Sequence, residues 1–205
     1  MLAVYSADGR TYHRAGNREP ILRCGAPGTE DCGSVYPPNA PFVHPDTGEI
    51  WLFHAYGNEL HGNPPRRGEP VESGLHLAKI PKDRLICVRP TDGSSSSVLT
   101  TVPLTVHPSQ LRLNVDASAP GASVRVELCD PFGRVLPGFE RESCNPCTSD
   151  ELEHQVVWVG EDGKGPELVD EGGEALEAKM VSQSRGTVKM RICIEGAAAV
   201  FAIYT

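Results

Sequence analysis

Leu111-Arg112-Leu113-Asn114-Val115, then Val124-Arg125-Val126-Glu127-Leu128, and later Val188-Lys189-Met190-Arg191-Ile192-Cys193-Ile194-Glu195 decide the fold class. In each stretch the apolar residues recur at every second position. Successive side chains of an extended chain point to opposite faces, so a period of two marks strands with one buried and one wetted face. Leu111, Leu113 and Val115 point one way, and Arg112 and Asn114 the other. The longest apolar run, Ala197 to Tyr204, reads as one more buried strand. Several such strands divided by turn residues predict an all-β chain. Its C-terminal part, 93–205, is expected to be an antiparallel β-sandwich of jelly-roll or concanavalin-like kind.

Composition agrees with many short strands. Gly 21 and Pro 18 among 205 residues favour turns and disfavour long helices. The net charge of −8 argues against nucleic acid and acidic membranes as partners, because phosphate binding needs clustered Lys and Arg. A neutral ligand such as a sugar stays open. No apolar run is long enough to span a bilayer. Met1 to Tyr5 lacks the basic segment and apolar stretch of a signal peptide, so the expectation is a cytosolic chain or one whose N-terminus lies upstream.

N-terminal to the sandwich, 1–92 reads as a separate β-meander. Leu2–Tyr5 and Arg10–Arg14 form a hairpin around Ala7-Asp8-Gly9, where Asp-Gly supplies the backbone of a tight turn. Residues 15–48 are irregular. Glu49 to Tyr56 is a strand with Trp51, Phe53 and Tyr56. A polar loop with Pro64-Pro65 and Arg66-Arg67 follows, then strands Gly74–Ile80 and Leu85–Arg89. The Gly/Ser-rich stretch Thr91–Ser97 marks the boundary.

Seven cysteines leave at least one thiol unpaired within a monomer. Cys87, Cys129 and Cys193 sit in strand-like runs and read as buried apolar thiols. Cys144-Asn145-Pro146-Cys147 admits three chemistries: loop thiols or a small disulfide, a metal site, and a redox dithiol. A structural zinc site using Cys144, Cys147 and the nearby His154 lacks a fourth ligand. The redox reading lacks the βαβ setting such dithiols normally occupy. The acidic stretch from Glu161 to Lys179, with a short helical turn over Glu174–Met180, reads as a solvated surface loop. Its spacing matches no twelve-residue calcium loop. His54 and His76 fall in strands, hydrogen-bonded in or near the core. His61, in a loop behind an aromatic strand, is placed either as a ligand group or as a solvated side chain. No G-x-S-x-G and no phosphate-cradling glycine motif occurs.

Tyr5-Ser6-Ala7-Asp8-Gly9-Arg10-Thr11-Tyr12-His13-Arg14 resembles a hairpin of the five-bladed β-propeller glycosidases. Asn17 to Leu22, Asp31-Cys32-Gly33-Ser34-Val35-Tyr36, Ile50 to Tyr56, and Gly74 to Lys79 continue the pattern in order. Leu111–Ala117, Gly121–Leu128, Gly133–Phe139, Val157-Trp158, Val188–Arg191 and Ala199–Tyr204 are similar to the sandwich that follows such propellers. The chain thus resembles the last blade and sandwich of glycoside hydrolase family 32-like proteins. That family places its three catalytic carboxylates on earlier blades, in N-D-P, R-D-P and E-C contexts. None of these occurs here. The resemblance implies a non-catalytic portion, structural or carbohydrate-binding, with Trp51, Tyr56 and His61 as ligand residues and Asp31 and Tyr36 beside them. It also implies a partner chain or a propeller preceding this one. Two other readings are an interaction scaffold and a small metal-binding protein using Cys144, Cys147 and His154.

Overall fold

The computed structural model describes residues 1–60, 62, 70–91, 95–160 and 187–205. The acidic stretch, its helical turn, His61 and the Pro64–Arg67 loop lie outside the described residues. The chain divides into two compact units, Met1–Ile86 and Cys87–Thr205. Among the described residues there is no α-helix, only strands and three short 3-10 turns. The strands form several antiparallel sheets, none closed into a barrel.

The first unit opens with β1 (Val4–Tyr5) and β2 (His13–Arg14), paired antiparallel. The sequence predicts a tight turn here, but the strands are shorter and the connection, 6–12, is longer. The Asp8 side chain accounts for the difference. Its carboxylate accepts hydrogen bonds from the backbone N–H groups of Arg10 and Thr11 at 2.8 and 2.7 Å, and from the hydroxyls of Ser6 and Thr11. Such local bonds offer the backbone an alternative to ladder pairing.

A four-stranded sheet follows, from β3 (Ser34–Tyr36), β4 (Phe42–Val43), β5 (Ile50–Gly57) and β6 (Ser73–Ile80). β6 pairs with β5 along its whole length, and β3 and β4 share the opposite edge of β5. Pro37, Pro38 and Pro41 separate β3 from β4, because proline cannot donate to the ladder. Gly33 is required at the entry to β3: a Cβ there would lie 2.4 Å from the Glu59 backbone.

The second unit holds β7 (Ser96–Thr100), β8 (Arg112–Asp116), β9 (Ser123–Cys129), β10 (Asp150–Gln155), β11 (Lys189–Glu195) and β12 (Ala199–Tyr204). They make two three-stranded sheets, β10-β8-β12 and β7-β11-β9. Both sheets contribute to one hydrophobic cluster. Leu113 and Val115 of β8 meet Val124, Val126 and Leu128 of β9, and Met190, Ile192 and Ile194 of β11. The alternation of β9 and β11 holds for their charged residues, which are part-exposed and pair across the strands, while Cys193 and Ser123 on the same face are buried. Arg191 lies opposite Glu127 with a 2.7 Å ion pair, and Arg125 reaches Glu195 at 3.6 Å.

Two expectations are corrected. Asn114, read as facing water, is fully buried in the central strand β8. Register shifts in both neighbouring pairings flank it. No buried side-chain nitrogen or oxygen among the described residues lacks a hydrogen bond, so its amide is satisfied. The strand expected over Leu85–Arg89 is reduced to a single bridge, Val88 with Val200, closed by reciprocal bonds of 2.8 and 2.9 Å. Pro81 and Pro90 bracket that run and restrict ladder pairing at its ends.

Candidate functional site

The continuous register between β5 and β6 sorts the candidate ligand residues by face. Residues opposite one another in an antiparallel pair share a side. Trp51 faces Lys79 and Phe42, Phe53 faces Leu77, and Ala55 faces Leu75 and Tyr36. One side of the sheet is therefore an apolar, aromatic-rich surface. Trp51 sits 5.8 Å from Phe42, 6.1 Å from Phe53 and 4.9 Å from His44, centroid to centroid. The Lys79 ammonium stands 4.5 Å from the indole centroid, within cation–π range. The Trp51 indole N–H donates to Glu49 at 3.2 Å. The rest of the face is open: Phe53 is 49 % exposed and Leu75 76 %.

The opposite side carries Leu52 and His54, both buried, and Tyr56 with His76. The Tyr56 ring stacks on His76 at 3.9 Å. Tyr56 donates its hydroxyl to one Glu30 oxygen at 3.0 Å, and the His76 Nε2 atom meets the other at 2.9 Å. The Glu30 hydrogen bond raises the Tyr56 phenol above its ordinary value. Gly74, opposite Tyr56, leaves room for this ring, since a Cβ there would lie 2.8 Å from the phenol oxygen.

Trp51 and Tyr56 are five residues apart on an unbroken strand, so they project from opposite faces and form no common platform. Tyr36 joins the Trp51 side. The Asp31 carboxylate is bonded within its own loop, accepting from Thr29 at 2.7 Å. Glu30 was not singled out from the sequence. Its link to Tyr56 spans 26 residues, and no local pattern announces it.

All seven thiols of the chain are free, and in the second unit Cys144 and Cys147 are buried. Their sulfurs have different surroundings. Val126 N–H donates to the Cys144 sulfur at 3.3 Å, whereas the Cys147 thiol lies 3.6 Å from the Ser149 carbonyl. Burial pushes both thiols up. The residues brought together are Cys147, Glu151 and His154, with one donor atom of each within 4.8 Å of the others. Cys144 is not among them, and Glu151 takes its place.

No family model, curated protein or solved structure matches this chain.

The site chemistry therefore rests on these groups themselves. Three arrangements are available: an open aromatic and aliphatic sheet face, a Glu30–Tyr56–His76 hydrogen-bonding cluster on the reverse face, and a mixed sulfur, oxygen and nitrogen donor group beside β10. The first can pack another apolar surface. The second can exchange hydrogen bonds with hydroxyl groups. The third offers ligands to a metal ion.

Proposed function

We propose that this chain is the non-catalytic portion of a glycosidase-like protein, in which a propeller-blade-like sheet precedes a β-sandwich of jelly-roll or concanavalin-like kind. Its role is structural: the first unit docks a further β-sheet on the face that bears Trp51. The observation that carries the reading is the exposure of Phe42, Phe53, Leu75, Leu77 and Tyr36 together on one side of a regular four-stranded sheet. Contiguous exposed apolar surface of this kind marks an interaction site. Sheets stack face to face at about 10 Å through interleaved apolar side chains, which this mixture of leucine and phenylalanine suits. The resemblance to a last propeller blade supplies the occupant, a neighbouring blade-like sheet.

Size-exclusion chromatography with light scattering, together with binding of an apolar dye, tests the docking face on the purified chain. Concentration-dependent self-association and dye binding are expected. Leu75→Lys with Phe53→Lys should abolish both while leaving the circular dichroism unchanged. A monodisperse monomer that binds no dye would overturn the reading.

Carbohydrate binding is the second reading, favoured by the Glu30–Tyr56–His76 cluster. A carboxylate, a phenol and an imidazole supply both acceptors and donors for sugar hydroxyls. A glycan array on the same preparation tests it, with signal lost in Tyr56→Phe, and no binding to any glycan excludes it.

A further inference from the structure

The geometry points to a binding site for a zinc-like divalent ion in the second unit, formed by Cys147, Glu151 and His154. This goes beyond the docking reading and uses no residue of the first unit. Three donors of different type lie within 4.8 Å of one another: a thiol sulfur, a carboxylate oxygen and an imidazole nitrogen. Ligands of a tetrahedral zinc at about 2.0–2.3 Å stand somewhat closer than this, so a small closure of side chains completes the set.

The backbone that holds them is well tied. Cys147 exchanges bonds with Val124 at 2.9 and 3.0 Å, which fixes it to β9. Glu151 and His154 both lie on β10. Three residues apart on a regular strand, they would point to opposite faces. Here Glu151 pairs with Val115 and His154 with Leu113, so four residues of β10 span three of β8. This bulge turns both side chains to the same side, a use of bulges that recurs beside functional sites. The His154 Nδ1 atom already meets Glu151 at 3.1 Å, which orients the ring toward the group.

The donor chemistry selects the ion. Thiolate sulfur with imidazole favours zinc, cobalt and similar metals over calcium or magnesium, which require oxygen ligands. Binding displaces the Cys147 thiol proton to solvent and forms the metal–sulfur bond. Glu151 and His154 are part-exposed, so an ion reaches the site from water and a solvent molecule completes its coordination.

Cobalt(II) titration of the metal-free full chain, in reductant compatible with metals, tests the site. One equivalent should produce visible tetrahedral bands and a near-ultraviolet sulfur-to-cobalt band, and zinc should remove both. Magnesium and calcium should not compete. Cys147→Ser should lose the sulfur band, while Cys144→Ser keeps it. Should Cys147→Ser fail to fold, Glu151→Gln and His154→Ala decide the matter at part-exposed positions. Each should weaken binding by more than about tenfold, a loss seen even for outer partners of a metal. Absence of a sulfur band in the parent chain, its survival in Cys147→Ser, or unchanged affinity in both Glu151→Gln and His154→Ala would overturn the proposal.

Discussion

Asp8 organises the β1–β2 connection through its charge. The backbone N–H of Thr11, then that of Arg10, and the Ser6 hydroxyl all donate to its carboxylate and hold it well below the ordinary value of 3.8. A carboxyl depressed in the folded state contributes order above its unfolded value and loses it as the pH falls through the folded one. The loop should thus stay intact through mild acid and loosen only well below pH 3.8. Amide chemical shifts of Arg10 and Thr11, followed by NMR during acidification, should move together in that low range. In Asp8→Asn they should show no such titration, and a midpoint at the ordinary aspartate value in the parent chain would contradict the account. The Asp-Gly pair was legible in the sequence as a turn. Its form was not, because the same dipeptide serves a two-residue hairpin and a wider loop closed by the side chain.

Alternation made β9 and β11 readable, since each has one face on the core and its charged residues on the other. β8 was only half readable. As the central strand of its sheet, with shifted registers on both sides, it encloses Asn114, and a polar residue in an alternating run gives no sign of that. The blocked run Leu85–Arg89 shows the opposite error: apolar composition without a partner strand of matching length. Among candidate site residues, parity along β5 already separates Trp51 from Tyr56. Glu151 could be joined to His154 only once the bulge was seen, because regular spacing puts them on opposite faces. Strand position also grades the cost of substitution. Met190 is fully buried on the central strand β11, opposite Leu128. Met190→Ala should lower unfolding free energy by about 2–5 kcal/mol through lost burial and a residual cavity. Leu152, exposed on the edge strand β10, should tolerate alanine within about 0.5 kcal/mol. Urea denaturation of both variants makes the comparison, and equal losses would contradict the burial described.

At the scale of the molecule, the hydrophobic cluster is confined to one unit. All its members, from Leu99 to Ile203, belong to Cys87–Thr205. Among the described residues, that unit contains both three-stranded sheets and every member of the cluster. Expressed alone as 87–205, it should unfold in one cooperative thermal transition with the circular dichroism of a β protein. A broad transition would show that its core depends on the first 86 residues. The Gly/Ser-rich stretch Thr91–Ser97 marked a boundary in the sequence, and the two compact units divide at Ile86 and Cys87. The partner of the first unit's open face was not legible, because exposure arises from the folded arrangement rather than from composition.

The two tryptophans are divided between the units. Trp158 is enclosed, edge-on to Phe139 at 5.2 Å, with its indole N–H bonded to the Val126 carbonyl at 2.9 Å. Trp51 lies half-buried beneath an ammonium group on an open sheet. Nature has thus installed one optical reporter in each half of the chain, distinct in polarity and in access to aqueous quenchers, so the melting of either half can be watched without attaching a label.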